Sequence, residues 1–152
     1  MNITWGLALA LAGAAAVGTV WMTRGGGSAG AGVLKPGDAA VVARGRTVYR
    51  ANCAACHGER LQGQPGWRTS AGKAPPHDAS GHTWHHPEEL LFQITKLGTA
   101  KLYGGRGGAM PGFGEQLSDD DIIAALSYIK SRWPAEIRAA NNRMSAGKSG
   151  GG

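Results

Sequence analysis

Cysteine is nearly absent from this chain: Cys53 and Cys56 are the only two in 152 residues. A structural zinc site built on paired cysteines is excluded, because no second pair exists. Acidic residues are outnumbered, ten Asp and Glu against sixteen Lys and Arg. No alternation of apolar and polar residues is long enough for a half-buried strand. That removes sheet folds, and with them the βαβ setting of a thioredoxin-like redox pair. Aromatic residues make up only 7% of the chain and form no aromatic-basic surface motif. The net charge of +6 therefore does not read as a nucleic-acid footprint.

What is present is concentrated. The 26 glycines gather mainly near residues 25–32, 104–114 and 147–152, which marks loops and linkers. The foldable part is then 36–140, a core of marginal size unless something else joins it. The two cysteines stand in Cys53-Ala54-Ala55-Cys56-His57. A disulfide would leave His57 unexplained, whereas C-x-x-C-H is the attachment signal of a c-type haem. Two thiolates at this spacing add to the two vinyl groups of one porphyrin, and the adjacent histidine lies beneath the iron. On a helical turn Cys53 and His57 are i and i+4, hence on one face. The expected cofactor is one covalent haem c, with thioethers at Cys53 and Cys56 and His57 as an axial ligand.

An electron-transferring haem usually takes a sixth ligand, and a thioether raises its potential. Of the four methionines, Met1 and Met22 flank the N-terminal apolar run and Met144 sits near the glycine-ending tail. Met110 lies in Gly108-Ala109-Met110-Pro111-Gly112-Phe113, a glycine-rich loop between two helical segments. Such a loop can drape over the far haem face, with Pro111 stiffening it behind the sulfur. Met110 is the expected sixth ligand.

These motifs resemble the class I cytochrome c family over residues 36–134. The matching features are Gly45-x-x-x-Tyr49 leading into C-x-x-C-H, the Met-Pro-Gly-Phe loop and a closing helix. The resemblance implies an all-α fold of three main helices around one covalent haem, with no catalytic reaction of its own. The departure is the histidine-rich segment after His57, which fits no motif of that family.

The periodicity agrees. Asp38 is a good N-cap for a helix with the stripe Val41, Gly45, Val48 and Tyr49. Ser118 and Asp121 make a capping box for a last helix, in which Ile122, Ala125, Leu126 and Ile129 recur at helical spacing until Pro134. A glycine inside a helix points to close approach of another helix, so this stripe should cross Gly45 and bring Tyr128 or Leu126 against the first helix. Pro87 at the first position, Glu88 and Glu89 in the first turn and Gly98 as a stop bound the middle helix.

Residues 3–22 are almost wholly apolar, about the length that spans a bilayer. No basic n-region precedes them, and Arg24 follows. Residues 1–24 read as a membrane anchor, with a cleaved signal segment as the alternative. Residues 25–35 read as a flexible linker of about 17–21 Å root-mean-square, and 141–152 as a disordered tail. The positive-inside rule applied to Arg24 would put the domain in the cytoplasm. The resemblance instead implies haem attachment on the outer side of a bacterial inner membrane, with the haem domain facing the periplasm, and this outweighs a single arginine.

His77, His82, His85 and His86 crowd the departing segment with Asp78 and Trp84. They read as a polar haem-rim loop, in which Trp84 or a histidine bonds a propionate, more than as a second metal site. Pro75 and Pro76 both offer a carbonyl to the Nδ1 proton of His57. The combined expectation is a monohaem electron carrier, not an enzyme, steered by its basic charge toward redox partner proteins with an acidic docking face. The alternatives are a haem peroxidase or a gas or redox sensor with an open sixth site.

Overall fold

A computed structural model of the protein describes residues 33–106 and 108–148. The expected anchor and most of the expected linker lie outside the described residues. Among the described residues every regular element is helical, and no helix there is long and apolar enough to cross a membrane.

Asp38 acts as the cap its position predicts. Its Oδ1 accepts from the backbone N–H of Ala40 at 3.0 Å and of Val41 at 3.1 Å, and α1 runs over Ala39–Asn52. After Cys53 the chain turns into α2 (Ala54–His57). A long loop and a single 3₁₀ turn at Thr83–His85 lead to α3 (Glu88–Leu97). Pro87 stands one residue outside α3, as its cap, with φ −63° and ψ 153°. Gly98 ends α3 at φ +79°, a left-handed backbone that favours glycine. The short α4 (Thr99–Leu102) opens the loop carrying Met110. Then α5 (Asp119–Ser131) starts on Ser118, whose Oγ accepts from the Asp121 N–H at 3.2 Å.

The packing of α1 on α5 is set by Gly45. A Cβ built there would lie 1.9 Å from the carbonyl oxygen of Ala124, so only hydrogen fits. The crossing brings the Tyr128 ring 5.5 Å from that of Tyr49, and Leu126 joins the core that holds Tyr49, Ile122, Ile129, Leu91 and Phe92. Gly45→Ala should therefore cost about 3 kcal/mol, the upper end of overpacking penalties. The check is the urea midpoint at constant m-value, and a loss below about 0.5 kcal/mol would mean that the crossing is loose.

Two boundary expectations are corrected. Leu34, assigned to the flexible linker, is 8% exposed and belongs to the core. Its N–H donates to Glu88 Oε2 at 3.2 Å, and the Lys35 N–H to Ser127 Oγ at 2.9 Å. Apolar burial plus two satisfied backbone donors holds this stretch against the body. Residues 141–148, assigned to a disordered tail, form the second half of α6 (Ala135–Lys148). Asn141 and Ser145, one turn apart, are buried on its inner face at 0% and 1% exposure. Among the described residues there is thus a fourth long helix beyond the three that the resemblance implied.

Beside Ile137, which packs against the hydrophobic core, α6 docks on a polar network. The Lys130 ammonium of α5 pairs with Glu88 at the start of α3 and donates to Asn141 Oδ1 at 2.9 Å. The Asn141 amide donates in turn to the carbonyls of Trp84 at 3.1 Å and His86 at 2.8 Å. Ser145 Oγ accepts from the Glu88 N–H at 3.1 Å. The network joins the incoming chain, α3, α5, α6 and the histidine-rich loop at one buried point.

Candidate functional site

Tyr49 is where α1 hands over to the cysteine motif. It is fully buried, its hydroxyl donates to the Gly58 carbonyl at 2.9 Å, and burial raises its pKa. The Cys53 N–H still bonds the Tyr49 carbonyl at 2.8 Å, and the His57 N–H bonds the Cys53 carbonyl at 2.9 Å. The motif is thereby wound as a helical turn, with Cys53 and His57 four positions apart as expected. Both cysteines are free thiols, Cys53 half-buried and Cys56 exposed. Burial, with a smaller contribution from Cys56, pushes the Cys53 thiol up to about 11.

His57 is buried at 6% exposure. Of the two candidate prolines, Pro75 holds it: Nδ1 lies 2.8 Å from the Pro75 carbonyl. A carbonyl only accepts, so Nδ1 carries the proton and Nε2 is the lone-pair nitrogen. Burial lowers the pKa of His57, and the bond to Pro75 opposes this in part. Two free thiols and a neutral imidazole of defined tautomer on one turn are the donors that a covalent haem requires, so the residues present fit that group.

Met110 is positioned by its backbone. Its carbonyl accepts from the Thr99 N–H at 3.1 Å, the Phe113 N–H bonds the Thr95 carbonyl at 3.0 Å, and the Gly114 N–H bonds the Lys96 carbonyl at 3.0 Å. The loop is laced to the carbonyl end of α3. Close approach makes this possible, since a Cβ on Gly98 would meet Gly112 N at 2.5 Å and one on Gly112 would meet Leu97 C at 2.6 Å. The Met110 side chain is partly buried.

The four loop histidines do not act as one group. His77 stacks on the His57 ring, with centroids 3.9 Å apart and planes 21° from parallel. Removal from water holds its pKa well below the usual imidazole range, reinforced by His57 and His82. His82 stacks on Trp67 at 5.4 Å and meets His86 edge-on at 5.4 Å, while His85 stacks on Trp84 at 3.6 Å. Trp84 spends its indole N–H on the Ala79 carbonyl at 3.4 Å. Among the described residues no three His, Cys, Asp or Glu side chains converge as a metal ion would need. Sequence reasoning noticed His77 only as a member of this cluster. It missed Thr83 and Trp133, which bond it, because neither carries a spacing signal.

The family model described as cytochrome c oxidase, cbb3-type, subunit III matches residues 40–129. The chain belongs to this family. Its place is accordingly among the c-type cytochromes of electron transport. The match takes in α1 to α5 up to Ile129 and stops short of Lys130 and α6. The chain is 33% identical over 95 residues to the CcoP subunit of the cbb3-type cytochrome c oxidase of Azospirillum sp. (strain B510). It is 35% identical over 92 residues to the CcoP subunit of Azospirillum brasilense. These alignments cover 62% and 60% of this chain but only 30% and 28% of the relatives. No solved structure matches.

Proposed function

We propose that the protein is a monohaem electron carrier, with haem c bound through Cys53 and Cys56 and its iron held by His57 and Met110. The observation that carries this reading is the Nδ1 contact of His57 with Pro75 at 2.8 Å. It gives the histidine of the C-x-x-C-H motif a fixed tautomer with Nε2 available as a ligand. Haem, when bound, supplies a one-electron ferric/ferrous couple. The chain's own work is to hold the group by two thioethers, orient the imidazole through Pro75 and keep the Met110 loop laced to α3. The match to a family of electron-transport cytochromes supports a carrier over an enzyme.

The relatives are named as oxidase subunits, and we assign the same kind of work here: delivering electrons to a membrane-bound terminal oxidase. The basic balance of the chain, +6, suits a partner with an acidic docking face. The apolar run at 3–22 would tether the domain at the outer face of a bacterial inner membrane.

The covalent link is tested by acid–acetone extraction. Wild-type protein should keep its haem through the treatment, and the Cys53→Ala/Cys56→Ala variant should retain none. Haem that leaves the wild type in the same solvent would end the c-type reading.

A further inference from the structure

We propose that His77 is a positioning residue for His57, setting the plane in which the proximal imidazole stands. The inference rests on the reading that His57 binds the haem iron. The bond from Nδ1 to Pro75 at 2.8 Å defines the tautomer and ties one atom of the ring. One hydrogen bond, with its angular tolerance, leaves the ring some rotation about its Cβ–Cγ bond. A flat neighbour removes the freedom, and the His77 ring lies 3.9 Å away and 21° from parallel.

His77 is itself held through its ring, its amide and its carbonyl. Its Nδ1 is 2.7 Å from Thr83 Oγ1, and the Thr83 hydroxyl donates to the Pro76 carbonyl at 3.3 Å. The His77 N–H donates to the Leu61 carbonyl at 2.8 Å, and the Trp133 indole N–H donates to the His77 carbonyl at 2.7 Å. Thr83 and Trp133 are 5% and 2% exposed. Tyr49 closes the arrangement edge-on at 6.3 Å. The two backbone bonds would serve any residue at this position, but the ring bond to Thr83 ties the side chain itself. Leucine would fill nearly the same volume but offers no plane.

The plane of an axial imidazole decides which iron orbital meets the ligand π system. Outer contacts of this kind tune a haem without changing its ligands. A turned ring is therefore read in the spectrum of the ferric protein, separately from ligation and from folding.

The test uses the haem-loaded protein and its ferric state, by electron paramagnetic resonance and by the pattern of haem methyl resonances in proton NMR. His77→Leu should leave the haem attached and six-coordinate but shift the g values and rearrange the methyl pattern. His77→Phe, which restores a flat face, should return both toward wild type. Thr83→Val, nearly isosteric, should move them in the same sense as His77→Leu by a smaller amount. Wild-type spectra in His77→Leu overturn the proposal, as do Leu and Phe variants that cannot be told apart. Should His77→Leu fail to fold, an unchanged pattern in Thr83→Val overturns it alone. A wild type without histidine coordination is a different result, one that removes the His57 reading itself.

Discussion

A Lys130→Met variant should lose about 3–5 kcal/mol of folding stability, the cost of breaking a buried ion pair from one side. Lys130 and Glu88 have side chains only 1% and 4% exposed. The ammonium also donates to Asn141 Oδ1 at 2.9 Å, and the second Glu88 oxygen accepts from the Leu34 N–H at 3.2 Å. Methionine matches the lysine stem in volume, so the change removes charge and donors while adding little strain. It takes the ammonium from a carboxylate that remains in the interior, and the loss of that charge pairing dominates the cost. Adding Glu88→Gln should recover more than half of the loss, because a neutral amide is cheap to bury and its oxygen still accepts from Leu34. Urea unfolding of the haem-loaded protein measures both. The first sign of failure should be loss of α6 helicity, since the fully buried side chains of α6 are Asn141 and Ser145, both in this network. A single variant within about 1 kcal/mol of wild type would show that water reaches the pair and that the network is not what attaches α6.

Met110→Ala should open the sixth coordination position and lower the reduction potential. Axial ligands move haem potentials over roughly 0.8 V, and the thioether sits at the high end. The oxidised wild type should show the weak long-wavelength sulfur-to-iron band, and the variant should lack it. The variant should also bind imidazole or cyanide readily and gain some peroxidase activity. The loop itself should survive, because its clamp is made of backbone bonds from Thr99, Phe113 and Gly114 to the Met110 carbonyl and the end of α3. Met110→His should restore a six-coordinate low-spin haem at a markedly lower potential, since imidazole is the better donor to ferric iron. A wild type that is already high-spin, takes up small ligands quickly and turns over peroxide would sink the carrier reading in favour of the enzyme or the sensor.

The helices and the C-x-x-C-H turn were legible because their signals are local. Asp38 and Ser118 cap whatever helix follows them, Gly98 stops one, and Cys53 and His57 share a face by helical geometry alone. Gly45 was legible for a related reason: a helix accepts the roughly 1 kcal/mol cost of an internal glycine only where something must come close. The sequence by itself therefore determined the helical class and the α1–α5 crossing point, and the four residues proposed at the haem are read from it.

The tertiary structure decided what depends on partners distant in the chain. Pro75 and Pro76 are equivalent as sequence, and only the fold puts one carbonyl at His57. Asn141 and Ser145 look like the polar residues of a loose tail until Lys130, 11 positions from Asn141, and Glu88, 57 positions from Ser145, supply the buried partners that make a helix worth ordering. His77 is one of four histidines in its loop, and among the described residues it is the one whose ring stacks on His57. Hydrophobic periodicity records which residues avoid water but is silent about polar groups that leave water together, so this buried network and the platform behind His57 emerge only once the chain has folded.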